Sequence, residues 1–303
     1  MINKSNQRKK YLSKNNLIFT YAILLFCVIA WGSNFVIGKI LIDYFNPYTI
    51  TLVRLIAINL FLWLFLYRYF NVEDIPVKVW IGLAISGLIG ITLNQYTFFL
   101  GLVTASPVTS ALILALAPIT TSILTFIVFK EKRLWKFWVG GIIALVGVLI
   151  SVLDGGSISI GRGEIVIIIT MLTFAIFIVL IQWLVKYINS IQITLLTNAF
   201  GVVFLLPFLS TIDYKQVARV DIKLWLLLIV SGIIVHGISN MLWNREMPKV
   251  GAANASLLMN LEPFIAMIGS ALILGSKILF IEIIGAFLII FGVILALYKK
   301  TDS

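Results

Sequence analysis

The chain has little to build chemistry with. It holds one cysteine (Cys27), one histidine (His236) and few charges, with Asp, Glu, Lys and Arg making up 12% of 303 residues. One cysteine excludes an internal disulfide. One His and one Cys cannot make a His/Cys metal cluster, and no His-Glu-x-x-His run is present. Nor do the apolar runs hold a convincing catalytic pair of acids, so neither an enzyme nor a metal or other cofactor is expected. The shortage of charge excludes more. A soluble domain devotes roughly a quarter of its residues to charge, so water cannot be the solvent for most of this surface.

What is there is apolar: 61% of the residues, with a mean hydropathy of +1.10. A helical span needs about 20 apolar residues. Ten fit, near 17–42, 48–69, 77–100, 105–129, 136–153, 163–187, 191–210, 223–244, 251–274 and 280–298. Turn formers join them: Asn46-Pro47, Asp74-Ile75-Pro76, Ser106-Pro107, Asp154-Gly155-Gly156 and Met247-Pro248. The runs are too long and continuous for barrel strands, and together they leave no room for a separate soluble domain.

The net charge of +11 does not point to nucleic acid, because Lys and Arg sit in short clusters between apolar runs. With the N-terminus inside, sixteen Lys and Arg fall on the inner side and five on the outer, while Lys39 and Arg54 lie within spans. That bias predicts cytoplasmic N- and C-termini. The basic start (Lys4, Arg8, Lys9, Lys10, Lys14) leads into an apolar run too long for a signal peptide, so an uncleaved first span is expected. The tail is most simply an orientation signal that also contacts anionic lipid.

An offset of 145 residues aligns the chain with itself. Trp80 falls on Trp225, Gly87 on Gly232, Pro118 on Pro263, Gly140 on Gly285 and Gly147 on Gly292. Five spans per half is an odd number, so the second copy enters the membrane the other way up. The expected class is therefore an all-α integral membrane protein of ten transmembrane helices in two inverted five-helix repeats. Its parts are a basic tail (1–16), repeats at 17–153 and 163–298, and a C-terminal tail (299–303). Inverted repeats are characteristic of secondary transporters with a midplane site.

Trp31-Gly32-Ser33-Asn34-Phe35-Val36, the Ala117-Pro118 and Glu262-Pro263 pairs, Arg54, Trp243-Asn244-Arg245 running into Gly251-Ala252-Ala253, and the glycine-rich fifth and tenth spans resemble the EamA-type branch of the drug/metabolite transporter (DMT) superfamily. The resemblance covers roughly residues 20 to 298. It implies ten-helix inverted-repeat carriers, many of them exporters of amino acids and related metabolites. One departure is visible: the acid that often follows span nine in the family is Ser276 here, whereas Glu131 follows span four.

Ionisable and amide groups at membrane depth need a reason. The expected substrate pathway is a central cavity lined by Trp31, Asn34, Gln95, His236, Asn240, Asn260 and Glu262. The amides would hold a polar or zwitterionic solute, and Trp31 would offer an aromatic face. Glu262 and His236 are the candidates for carrying a coupling proton or, for Glu262, a substrate ammonium. The alternative for each is a hydrogen bond that only holds the bundle together. Pro118 and Pro263 are expected to kink spans four and nine, either as static packing or as paired gates. The glycine pairs of spans five and ten are expected to pack helices closely, and to be the contact between the halves. Lys39 and Arg54 are placed near the outer face, snorkelling to headgroups or forming a basic mouth that attracts anions or contacts a carboxylate substrate. The partners expected are a small-molecule substrate, the lipid bilayer and protons, and the enriched Ile, Asn and Lys suggest a bacterial plasma membrane. A lipid or drug carrier, or a membrane scaffold or sensor, remains as an alternative.

Overall fold

The computed structural model describes residues 14–70, 75–130, 134–151, 153–154, 157–158, 160–212, 217–250, 255 and 258–297. The expected tail up to residue 13, the basic connection 131–133, most of the start of the expected span 251–274 and the C-terminal tail lie outside them.

Helices dominate the described residues. We label them α1 (Lys14–Ile42), α2 (Pro47–Leu66), α3 (Val77–Leu102), α4 (Pro107–Phe129), α5 (Trp135–Ser151), α6 (Arg162–Leu184), α7 (Ser190–Leu205), α8 (Ile222–Val250), α9 (Glu262–Leu274) and α10 (Phe280–Leu297). Seven of these, α1 to α4 and α6 to α8, lie in stretches long and apolar enough to cross a membrane, while α5, α9 and α10 are shorter apolar helices. The Asp154-Gly155-Gly156 connection is flanked by two-residue strands, Leu153–Asp154 and Ser157–Ile158, paired antiparallel.

The helices start where the sequence places cap residues. The Asn46 side chain accepts from the Thr49 amide at 2.7 Å, with Pro47 in the first turn. Ser106 accepts from the Thr109 amide at 3.0 Å, before Pro107. Asn189 and Gln192 cap each other reciprocally at 2.9 and 3.0 Å. Each bond satisfies a backbone donor that the helix itself leaves open.

The offset of 145 recurs in the geometry. The second segment of α4, Ala117–Phe129, corresponds residue for residue to α9, Glu262–Leu274. Both end in a left-handed residue, Lys130 (φ 55°) and Gly275 (φ 67°). α3 widens to π-helical hydrogen bonding over Gly87–Leu93, and α8 does so over Ile233–Ile238. The first two helices of each half match at a slightly shorter offset, 143, which sets Asn46 on Asn189.

The two halves interlock. α1 packs on α8 and α9, and α6 packs on α3 and α4. α3 rests against α7, and α8 against α2. The most extensive contact joins α5 and α10. There a Cβ on Gly140 would overlap the backbone at Gly292 and Ala296, and one on Gly147 the Gly285 carbonyl. As residue numbers rise along α5 they fall along α10, so these two equivalent helices run antiparallel. Backbones this close gain dispersion contacts that larger side chains would prevent. The glycine pairs thus let α5 and α10 pack backbone against backbone.

Candidate functional site

Four of the residues that the sequence picked out, Trp31, Asn34, Gln95 and His236, lie where α1, α2, α3 and α8 meet. Gln95, just after the wide turn of α3, lies with Nε2 3.1 Å from His236 Nε2, inside the wide turn of α8. The amide nitrogen donates, so His236 Nε2 accepts and the ring proton lies on Nδ1. Neither Gln95 Oε1 nor His236 Nδ1 carries a hydrogen bond among the described residues. Wide turns are frequent at functional sites, and here the two matched ones bring a side chain from each half into contact. Trp31 donates from Nε1 to the Val235 carbonyl at 3.0 Å and tilts against Trp243, ring centroids 4.9 Å apart. Asn34, 7% exposed, accepts at Oδ1 from Arg54 Nη2 at 2.9 Å.

Arg54 turns inward, while Lys39 stays partly exposed beside a helix end. Arg54 is 0% exposed and lies 5.2 Å from the centroid of the Phe99 ring. Lys39 reaches along α1 to the end of α3, where its Nζ donates to the carbonyls of Leu102 (2.7 Å), Val103 (3.3 Å) and Ala105 (3.4 Å). Those carbonyls have no partner in their own helix, and a cation there also meets the negative end of the helix dipole.

Pro118 and Pro263 each follow an interruption of helix. Each occupies the first turn of a helix segment that has just restarted, after Leu116 and Leu261 respectively. The Leu116 amide donates to Ile113 and the Leu261 amide to Leu258, at 3.1 and 3.0 Å, tightening the turn on both sides of the repeat. A proline tolerates the first turn because its missing donor is not needed there. The feature is therefore a break with a fresh helix N-terminus, which for Pro118 lies inside the span Pro107–Phe129. Glu262 opens α9, half-buried, with no hydrogen bond or ion pair among the described residues. Asn260 lies in the break, half-buried, and Asn240 is exposed on α8.

The sequence did not single out two other networks. Asn94 donates from Nδ2 to the Thr170 carbonyl (2.9 Å) and the Thr173 hydroxyl (3.1 Å), while the Thr170 hydroxyl donates to Thr97 (2.9 Å), joining α3 to α6. Its only trace is polar residues at helical spacing in apolar runs. Between α1 and α8, Glu246 (1% exposed) accepts from Thr20 at 2.9 Å, Arg245 at 2.8 Å and Lys249 at 2.7 Å. An acid among basic residues at a helix end was the signal here. The repeat offsets set Thr20 on Gly163 and Glu246 on Gly101. At that matched place a Cβ on Gly163 would meet the Gly101 carbonyl at 2.7 Å, so a glycine contact stands where the other end has a carboxylate.

An apolar groove of about 510 Å³ runs between α1 and α8, lined by residues such as Phe26, Ile29, Ile37, Leu227 and Ile234, with Lys223 at one end. Ala30, Ser33 and Val235 of that groove neighbour Trp31, Asn34 and His236 in sequence, but none of the seven expected pathway residues lines it.

Replacing Gln95 by Leu is expected to leave His236 with neither ring nitrogen hydrogen-bonded. An unmet buried polar group costs about 1–3 kcal/mol, so unfolding of the purified chain should shift to lower temperature. A Tm equal to that of the parent would show that the pair carries no structural weight.

Interlocking apolar helices around a buried polar cluster define a polytopic membrane protein with the features of a carrier. The EamA-like transporter family matches the chain twice, over residues 18–153 and 161–298. The protein therefore belongs to the EamA-like transporter family and is a membrane transporter. Similar chains include the uncharacterized transporter YyaM of Bacillus subtilis (strain 168), 29% identical over 91% of this chain and 92% of that one. The uncharacterized transporter YetK of the same organism is 24% identical over 89% and 84% of the two chains. An uncharacterized transporter of Archaeoglobus fulgidus is 24% identical over 92% and 99%. A solved crystal structure shares the fold, with a TM-score of 0.63 and 17% identity over 92% of this chain and 96% of that one.

Proposed function

We propose that the protein is a secondary transporter, an exporter or exchanger of amino acids or related small metabolites, working by alternating access around a midplane site. Ten transmembrane helices form two inverted five-helix halves in this reading, with both termini cytoplasmic in a bacterial plasma membrane. The observation that carries it is the exchange of partners between halves: the first helix of each lies on the third and fourth spans of the other. The antiparallel α5 and α10 support the inversion. Two such halves can swap conformations and expose one site to either side in turn. Broken helices and wide turns at matched places supply the backbone irregularity that such sites use. Trp31, Asn34, Gln95, His236, Asn240, Asn260 and Glu262 line the route, with Glu262 and His236 handling coupling protons, and the breaks before Pro118 and Pro263 act as paired gates.

The apolar groove beside the polar cluster favours a second reading, a drug or lipid carrier of the same fold. Both are tested with the full chain purified into phospholipid vesicles. Saturable counterflow of pooled radiolabelled amino acids supports the first. Uptake of an amphipathic dye without amino-acid flux supports the second. Flux of neither in correctly folded protein overturns both and leaves a scaffold or sensor.

A further inference from the structure

Arg54 stands where a charge is costly. Its side chain is wholly buried, and no carboxylate pairs with it among the described residues. One nitrogen, Nη2, donates to Asn34, and the face of the group rests near Phe99. Nε and Nη1 carry no hydrogen bond among the described residues. Gly232 makes the place for it: a Cβ there would meet Arg54 Cγ and Nε at 3.2 Å. His236, one turn beyond Gly232 on α8, brings its own unmet Nδ1, and Gln95, 3.1 Å from it, brings Oε1. Four unsatisfied polar atoms from three helices therefore lie around one turn of α8, between Gly232 and His236.

Packing does not call for this cation. The repeat sets Arg54 on Thr197, at the equivalent contact where a Cβ on Gly87 would meet the Thr197 carbonyl. The threonine meets its own need with a 2.7 Å bond to the Ile193 carbonyl. One half closes the same contact with a short neutral side chain, while the other keeps a guanidinium with donors to spare. A buried charge is normally paired or hydrogen-bonded throughout. A carboxylate is the group that satisfies a guanidinium best, through charge-assisted bonds of fixed geometry.

We propose that Arg54 binds the carboxylate of the transported solute, with Asn34 holding the guanidinium in place and the Gln95–His236 pair receiving the solute's neighbouring polar group. This rests on the transporter reading and narrows its substrates to carboxylates. Solutes whose only charge is positive are disfavoured at this cluster by repulsion.

The test uses the full chain in detergent, with propionate as the probe and propionamide as its neutral counterpart, ionic strength being held constant with chloride. Propionate is expected to raise Tm saturably and propionamide to leave it unchanged. Arg54→Gln should weaken the propionate response at least tenfold. Asn34→Ala, which keeps the charge but frees the guanidinium, should weaken it less and serves if the first variant folds poorly. Equal responses to propionate and propionamide, or variants that respond as the parent does, overturn the proposal. Amino-acid counterflow separates the two readings. Flux that survives Arg54→Gln unchanged removes the carboxylate site but leaves transport standing. An Arg54-dependent propionate response in a protein with no flux keeps the site and removes the transport reading.

Discussion

Leucine in place of Gly292 is expected to leave almost no folded protein. Overpacking a well-packed core costs about 1–3 kcal/mol where side chains can shift aside. Here the obstacle is backbone: a Cβ at 292 would already run into the Gly140 carbonyl and Ala144. Relief requires α5 and α10 to separate along the longest seam between the halves. Alanine should therefore lower Tm measurably, and leucine should remove the monodisperse peak on size-exclusion chromatography. Leu272 on α9 is the control. It is 80% exposed, so Leu272→Ala should change stability by less than about 0.5 kcal/mol. A Gly292→Leu protein that elutes and melts like the parent would show that the seam is not what joins the halves.

The second large effect is expected at Glu262. This carboxylate opens a restarted helix and has no hydrogen-bonding or ionic partner among the described residues. Two roles are available to it. As a favourable charge at a helix N-terminus it contributes about 0.3–1 kcal/mol. As a substrate or proton contact it makes a charge-assisted bond, worth about 1.5–3 kcal/mol. Glutamine keeps the shape and removes both the charge and the proton exchange. Under the first role Glu262→Gln lowers Tm slightly and leaves flux intact. Under the second, which we expect, flux through vesicles falls roughly 10- to 100-fold and its dependence on pH disappears. Unchanged flux with an unchanged pH profile would remove Glu262 from the mechanism.

Much of the fold was legible because membrane spans write themselves in long apolar runs, and because caps such as Asn46-Pro47 and Ser106-Pro107 mark the starts. The repeat was legible because Trp, Pro and Gly cannot be exchanged cheaply. The breaks were harder. Pro118 is visible in sequence, but whether it bends a helix or opens a new segment depends on the turn at Leu116. The wide turns left no sequence mark at all, being a matter of backbone hydrogen bonding over Gly87–Leu93 and Ile233–Ile238. Among the site residues, pairing across halves decided what was missed. Gln95 and His236 were singled out separately, yet only the tertiary structure puts them in contact. Arg54 misled because position along a helix does not say which way a long side chain turns, and Gly232 turns this one inward.

The repeat also carries an inequality. Thr20 and Glu246 meet at the α1 N-terminal end of the molecule, whereas their counterparts Gly163 and Gly101 lie at the other end, near the carbonyls that Lys39 caps. At the first a buried carboxylate accepts from a hydroxyl of the neighbouring helix, and at the second two backbones meet closely with no side chain between them. Matched positions of one repeated pattern thus carry unlike fastenings at the two ends of the molecule.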